Sequence, residues 1–166
     1  MDCQMFWGYY RIGYRDERIR RFRGNVTENQ LKDFASLVNA NRMTPINIRK
    51  IGLPQFSGFS FVSKILMFFD PRNLVVLDKK IMQLRDPANR DNDPITKIGE
   101  DKSGIRITEN SQKHYFEWCS LCKKIATHYL KSDYAVDAER GFFKLVENNE
   151  LNYGRKIILA AMENHH

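Results

Sequence analysis

The feature that most constrains the fold is an apolar run bounded at both ends by residues that interrupt helices. The run Phe59–Phe69 contains one lysine and no other charged residue. Gly58 precedes it and Asp70-Pro71 follows, and the residue before a proline is disfavoured in the α conformation. The pattern predicts a short, largely buried helix that begins after a tight turn at residues 54–58. The rest of the chain must supply elements that cover this helix.

Helical signals continue on both sides of the run. Thr27 is predicted to be an N-cap with Gln30 as its capping-box partner, in a helix that ends near residue 41. Pro45 favours a first helical position, and the helix that it begins should end at Gly52. Apolar residues at helical spacing predict three further helices, at residues 110–130, 135–146 and 151–162.

Strand signals are few and short. Residues 74–77 are apolar and contain two valines, so they form either a short strand or a buried lead into the next helix. That helix would be capped by Asp78 and would end near Arg85. Residues 86–112 are dense in proline, glycine, aspartate, asparagine and serine, which predicts a long loop. A small β-hairpin within it would join residues 97–99 and 104–107.

These signals predict a mainly α fold: a helical bundle with a helix-hairpin-helix motif and one small β-hairpin. The length of 166 residues suits a single domain. Its predicted parts are a basic N-terminal segment at residues 7–23, a helix-hairpin-helix core at 45–86, a long loop at 86–112 and C-terminal helices at 110–162.

The chain is basic, with 27 lysines and arginines against 20 acidic residues and a formal net charge of +7. Such a balance favours a polyanionic partner such as nucleic acid, or an acidic surface. No run approaches the roughly 20 apolar residues that a membrane-spanning helix needs, and the N-terminus lacks the pattern of a secretory signal. Three cysteines do not suggest a disulfide framework. We therefore expect a cytoplasmic protein without a membrane partner.

The basic N-terminal segment contains six arginines among aromatic residues. Arg11 and Arg15 are predicted to contact DNA phosphates, and Trp7 is predicted to stack on a base. The alternative is a solvated basic face whose aromatic residues belong to the core.

Cys119 and Cys122 have C-x-x-C spacing, but the chain has no second pair that would complete a metal site. The alternative is a pair of packed thiols. We expect no metal and no cofactor.

The turn at residues 54–58 joins two predicted helices, and a tight glycine turn of this kind can present backbone N–H groups to a phosphate. The alternative is an ordinary corner between helices. The pattern around the turn resembles the helix-hairpin-helix (HhH-GPD) superfamily of base-excision DNA glycosylases over about residues 46–86. The matching residues are Gly58-x-x-x-x-Ser63-x-Ile65-Leu66-x-Phe68, then Asp70-Pro71, then Val76-Leu77-Asp78. A reduced member similar to the 8-oxoguanine DNA glycosylases is one form that the resemblance suggests.

The resemblance implies functional residues in this sequence. Asp78 takes the place of the catalytic aspartate of the family. DNA contacts are expected from the turn and the residues that follow it: Phe56, Ser57, Gly58, Ser60, Lys64, Lys79 and Lys80. A C-terminal helix of the family often lines the base pocket, which implies Asp137, Arg140 and Phe143 here. The alternative for these last three residues is an ordinary capped helix with a charged surface.

Two departures from the family pattern affect the expected chemistry. Phe56 replaces the first glycine of the turn. Ser60 occupies the position at which bifunctional members carry a nucleophilic lysine, and Lys64 lies about one helical turn further on, on the same side. The predicted reaction is therefore hydrolysis of the bond between a modified base and its sugar, without strand cleavage. The partner would be double-stranded DNA with one base flipped out of the stack.

Three alternatives to this enzyme reading remain. Asp78 could be a helix cap and nothing more, since aspartate is a common N-cap. The chain could be a non-catalytic helix-hairpin-helix module whose DNA binding is sensitive to salt. It could also be a protein-interaction bundle that has no affinity for nucleic acid.

Overall fold

The computed structural model describes residues 15–89 and 93–163, and within them the predicted fold class is confirmed: the chain is mainly helical with one small antiparallel β-hairpin. The helices of this part are α1 (Arg15–Asn25), α2 (Glu28–Asn39), α3 (Pro45–Ile51), α4 (Phe59–Phe69), α5 (Glu109–Tyr129), α6 (Ala135–Glu147) and α7 (Leu151–Glu163). Between α4 and α5 lie the 3-10 turns Ile81–Leu84 and Pro87–Asn89 and the strands β1 (Glu100–Asp101) and β2 (Gly104–Ile105). No helix in residues 15–89 and 93–163 has the length and apolarity needed to cross a membrane.

The ends of α2 and α3 follow the predicted capping residues. The Thr27 hydroxyl accepts a hydrogen bond from the Gln30 N–H at 3.2 Å, and Gln30 Oε1 accepts one from the Thr27 N–H at 3.0 Å. Gly52 ends α3 with a φ of 68°, a conformation that glycine adopts at little cost. The Gln30 side chain also donates to the Gly52 carbonyl at 2.8 Å, which ties the start of α2 to the end of α3.

Helix α4 has the predicted bounds and lies in the core. Its buried residues Phe59, Val62 and Leu66 follow helical spacing, and the Phe59 ring packs against Tyr115 of α5 with 5.2 Å between ring centroids. Complete burial of an apolar side chain of this size contributes about 1.5–3 kcal/mol. Because a helix this short is marginal by itself, its packing is what stabilises it.

Residues 74–77 form no helix and pair with no strand in the described chain. Val75 and Leu77 are nevertheless buried. Side chains of α4 and α5 form hydrogen bonds with the backbone groups of these two residues. The Ser63 hydroxyl accepts from the Leu77 N–H at 3.0 Å, and the Tyr115 hydroxyl donates to the Val75 carbonyl at 2.8 Å. These bonds replace the strand partner that a buried extended segment would otherwise need.

The helix predicted after Asp78 is a single 3-10 turn, Ile81–Leu84. One reason is Pro87, which disfavours helical backbone at the residue before it. Another is Arg85, whose guanidinium donates to the Ile98 carbonyl and pairs with Glu100 at 2.8 Å. These contacts draw the chain away from the helical path and towards the β-hairpin.

The predicted loop at residues 86–112 contains regular structure. The buried Asp93 carboxylate accepts from the Ile95 N–H at 2.9 Å and from the Thr96 hydroxyl at 2.5 Å, which orders the approach to the β-hairpin. The β-hairpin is confirmed, but its first strand lies just after the predicted residues 97–99. The paired residues are Glu100 with Ile105 and Asp101 with Gly104.

The C-terminal helices pack on each other and on the first 3-10 turn. Trp118 of α5 is completely buried and lies 5.2 Å from the ring of Phe142 on α6. Gly154 of α7 faces Leu84, and a Cβ atom at residue 154 would lie 2.6 Å from Leu84 Cδ2. Any side chain at residue 154 would therefore force the buried Leu84 side chain to shift.

Candidate functional site

A groove of about 1060 Å³ lies beside the turn that precedes α4. Its walls come from the turn, from the chain after Leu77 and from the β-hairpin with the residues that follow it. Six cationic side chains and two carboxylates line it: Arg18, Arg49, Lys64, Lys79, Lys80 and Arg106, with Asp78 and Asp101. We name it the Asp78 groove. Its excess of positive charge suits a polyanionic ligand.

The start of α4 forms part of the groove wall, where Ser57, Gly58 and Ser60 line the surface. Gly58 is the N-cap residue and has no side chain to bond the first N–H groups of the helix. The positive end of the helix dipole therefore lies at the groove. The phosphate contact expected at this turn stays a prediction.

Phe56 contributes to the turn in another way. Its side chain is 2% exposed and packs against Phe22 and Phe61, with ring centroids 5.6 Å and 6.1 Å away. The ring thus belongs to the core and does not line the groove. The preceding residue, Gln55, has a φ of 68° and accepts a hydrogen bond from Arg18 at 2.5 Å.

Asp78 both caps the backbone and lines the groove. Its Oδ1 accepts from the N–H groups of Lys80 and Ile81 at 2.9 Å and 3.1 Å. Within the described residues, no hydrogen bond involves its Oδ2. The capping prediction is therefore met by one carboxylate oxygen, and capping does not prevent the side chain from facing a ligand.

Lys64 lies one turn beyond Ser60 on α4, and both residues line the groove as their spacing predicted. Its Nζ is 5.0 Å from the centroid of the Phe61 ring. Burial lowers the pKa of the amine, and the nearby charges of Asp78 and Glu139 oppose that shift. A partly buried amine and a carboxylate thus line the same groove.

Glu139 is a buried acid that does not line the groove, and the sequence analysis did not identify it. It is 5% exposed on α6, and burial raises its pKa to about 8, with the negative charge of Asp78 as the next cause. Arg140 and Lys64 oppose the rise. A signal was present in the sequence: Glu139 lies four residues after Ala135 and three before Phe142, on the apolar face of the helix.

The other predicted base-pocket residues are not brought together at the groove. The Asp137 carboxylate accepts a hydrogen bond from the Ser132 hydroxyl at 2.5 Å. Its Oδ1 lies 3.7 Å from Nη1 of Arg140, whose side chain is exposed. Neither Asp137 nor Arg140 lines the groove. Phe143 is half-buried and has Lys80 Nζ 4.7 Å from its ring centroid, so it neighbours a groove residue. Trp7 and Arg11 lie outside the described residues, as does the side chain of Arg15.

Cys119 and Cys122 are free thiols buried on α5. Burial raises the pKa of Cys119 to about 12 and that of Cys122 well above its ordinary value. Both therefore remain protonated near neutral pH, which disfavours metal binding because metals bind the thiolate. No group of three or more potential metal ligands occurs within the described part of the chain.

Comparison of the chain with protein-family models, with curated proteins and with solved structures found no match. The relationship to the DNA glycosylases therefore stays a prediction that depends on the motif at residues 46–86.

Proposed function

We propose that this protein binds double-stranded DNA in the Asp78 groove and hydrolyses the N-glycosidic bond of a damaged or modified base. The observation that carries the proposal is the position of Asp78, a carboxylate on the wall of a groove in which cationic side chains outnumber acidic ones. Phosphates would be attracted by the cations, and the carboxylate would face the sugar beside them.

The chemistry requires a negative group at the sugar. As the bond from C1′ to the base nitrogen breaks, its electrons leave with the base and positive charge develops on the sugar. Asp78 can stabilise that charge and can orient or deprotonate the water that adds to C1′. The departing base takes up a proton, and an abasic site remains in an uncut strand.

Two features support DNA as the ligand. The uncapped start of α4 presents a partial positive charge to the groove, and Lys79 on the same surface is a cation. Phe143 offers an aromatic ring next to Lys80, on which a flipped base could stack. Trp7 remains a prediction for the base pocket, whereas Asp137 and Arg140 do not line the groove.

The test compares wild type with Asp78→Asn on duplexes that contain a panel of modified bases. Asparagine can accept the capping bonds of Asp78 but lacks its negative charge. We expect unchanged DNA affinity and a fall of at least about 100-fold in base release, which corresponds to about 2.7 kcal/mol in the barrier. Base release is measured by cleavage of the abasic product with alkali.

Asp70→Asn is the matched control, because Asp70 also caps a turn, with its Oδ1 accepting from the Asn73 N–H at 3.2 Å. This variant should release bases at the wild-type rate. Equal activity of Asp78→Asn and wild type, or no release from any duplex in the panel, would contradict the enzyme proposal. Salt-sensitive DNA binding without base release would instead support the alternative that the protein is a non-catalytic DNA-binding module.

Lys64 favours a second candidate reaction. Its amine lies in the same groove as Asp78, and burial lowers its pKa. Such an amine can attack C1′ directly: the nitrogen lone pair forms the new bond as the base leaves, and the product opens to an imine. The two candidates differ in whether the protein becomes covalently joined to the sugar.

A further inference from the structure

Two arginines of the Asp78 groove, Arg49 and Arg106, belong to none of the predicted sites. We propose that they form a phosphate clamp, in which Asp101 is a positioning residue that orients the Arg106 guanidinium towards a phosphodiester of the bound DNA. The proposal rests on the DNA binding proposed above. It names the residues that hold the DNA backbone on the wall formed by residues 101 and 103–108, which we call the hairpin wall.

The backbone of the hairpin wall is fixed to the core on both sides of Arg106. Ile105 and Ile107 are 7% and 5% exposed, whereas Arg106 between them is exposed, as the alternation of side chains in an extended segment requires. The Arg106 N–H donates to the Gly99 carbonyl at 3.1 Å. The Arg106 side chain therefore begins at a fixed point and extends away from the core into the groove.

Asp101 fixes the direction of the Arg106 guanidinium. Its Oδ2 accepts from Arg106 Nε at 2.8 Å, and its Oδ1 accepts from the Ser103 hydroxyl at 2.5 Å and from the Ser103 N–H at 2.8 Å. The bonds from Ser103 and then from Arg106 hold the pKa of the Asp101 carboxyl below its usual range, so the carboxylate is ionised at neutral pH. Within the described residues, no hydrogen bond involves Nη1 or Nη2 of Arg106, so both nitrogens can donate to a ligand.

Arg49 reaches the same wall from α3. Its Nη1 donates to the Ile107 carbonyl at 2.6 Å, one residue after Arg106 in the chain. The Arg49 side chain is exposed, and in the described part of the chain its guanidinium makes no other hydrogen bond. Each of the two guanidiniums is thus held by one bond and keeps further N–H donors. Because the planar donors of a guanidinium match two oxygens of a phosphate, the pair suits a phosphodiester.

The hairpin wall keeps an excess of positive charge although Asp101 belongs to it. Lys79 lies against the β-hairpin, since a Cβ at Gly104 would lie 3.9 Å from Lys79 Cε. With the two arginines, this lysine makes three cations around one carboxylate. Contacts of this kind bind the DNA backbone and do not read its sequence. We therefore expect the clamp to bind modified and unmodified duplexes equally well.

The first test measures the affinity of Arg106→Lys for an unmodified DNA duplex by fluorescence anisotropy over a salt series. Lysine keeps the positive charge but cannot donate to two phosphate oxygens in the same way. We expect the affinity to fall about tenfold, whereas its salt dependence should stay that of wild type. Arg42→Lys, at an exposed arginine outside the groove, is the control and should bind like wild type.

The second test separates orientation from charge at Asp101. Asp101→Asn removes a negative charge from the groove, so charge alone predicts tighter binding of the duplex. We expect the opposite, a loss of about threefold, because an Arg106 side chain without its carboxylate must be ordered on binding. In the double variant with Arg106→Lys, Asp101→Asn should no longer weaken binding, since Asp101 acts through Arg106. A purely structural role of Asp101 would weaken binding in both backgrounds.

The third test uses wild type, so it does not depend on the folding of a variant. The side-chain N–H signals of Arg49 and Arg106, followed by NMR, should shift on addition of the unmodified duplex, and those of Arg42 should not. Wild-type affinity of Arg106→Lys, tighter binding by Asp101→Asn, or unchanged signals of Arg49 and Arg106 would each overturn the clamp. None of these measurements uses base release, so a protein that binds the duplex but releases no base would contradict the glycosylase proposal alone.

Discussion

At the scale of single residues, Lys64 separates the two reactions proposed for the groove. Hydrolysis leaves the lysine unchanged, whereas attack by its amine produces an imine that borohydride reduces to a stable protein–DNA adduct. We expect hydrolysis, so borohydride added during the reaction should trap no adduct. Lys64→Gln should keep base release within about tenfold of wild type, since a tenfold change corresponds to about 1.4 kcal/mol. The adduct is detected by gel electrophoresis.

The control for Lys64 is Lys113→Gln, at an exposed lysine of α5 outside the groove. An adduct that forms in wild type and in the Lys113 variant but not in Lys64→Gln would contradict hydrolysis. That outcome would instead favour the amine reaction.

Residues of the candidate site differ in how far the sequence could identify them. Asp78 and Lys64 follow a recognisable turn, so their positions relative to it could be predicted from spacing. The only signal for Glu139 is its helical spacing from Ala135 and Phe142, because the neighbouring pair Glu139-Arg140 by itself is typical of a charged surface. Phe56 was expected to contact DNA because it lies in the turn, but its ring packs in the core.

At the scale of elements, Ser63 fixes the segment that holds Asp78. Its hydroxyl bonds the buried Leu77 N–H at 3.0 Å, one residue before Asp78. Ser63→Ala would leave that N–H without a partner, which costs about 1–3 kcal/mol. We expect the free energy of unfolding in urea to fall by this amount. Base release should also fall, because Asp78 loses part of its support.

Ser120→Ala is the matched control for Ser63. Ser120 is an exposed helical serine whose hydroxyl donates to the Phe116 carbonyl at 2.9 Å. Its replacement should change the free energy of unfolding by less than about 0.5 kcal/mol. If the two alanine variants are equally stable and equally active, Ser63 does not anchor the segment.

The elements that the sequence predicted well are those whose ends depend on local signals. Thr27, Gly52 and Asp70-Pro71 act within one helical turn, so the bounds of α2, α3 and α4 could be predicted. The 3-10 turn after Asp78 could not be predicted as such. Its termination involves contacts of Arg85 with residues 95–100, which local spacing does not reveal.

At the scale of the whole molecule, several of the cationic side chains lie together in the Asp78 groove. The sequence predicts a polyanionic partner from a net charge of +7, and the fold gathers cations from separated segments into one groove. A plot of log K against log salt for DNA binding has a negative slope. Lys79→Gln should make that slope less steep by about 0.9, the value for one lost phosphate contact. Binding is measured by fluorescence anisotropy over a salt series.

Lys156→Gln on α7 is the control for charge alone, because Lys156 is exposed outside the groove. Its slope should match that of wild type. Equal effects of the two substitutions would show that DNA does not bind in the Asp78 groove.

The groove itself could not be predicted from the sequence. The turn before α4 and the β-hairpin, which form two of its walls, were each predicted. The β-hairpin lies against Lys79, since a Cβ at Gly104 would lie 3.9 Å from Lys79 Cε. This wall and the Arg18 side chain come from regions far from the turn in the sequence. Their meeting at one surface depends on tertiary packing, which helical spacing and capping signals do not specify.

The contact between Gly154 and Leu84 affects which mutations the protein can tolerate. Alanine at residue 154 would favour helix formation by about 1 kcal/mol, yet its Cβ would displace a fully buried leucine. Leu84 ends the short turn Ile81–Leu84, and Asp78 bonds the Ile81 N–H at the start of that turn. Gly141, also within a helix, has nothing within 4 Å of a Cβ and carries no such restriction. Residue 154 is thus restricted by the space that a missing methyl group leaves for Leu84, although it lies outside the Asp78 groove.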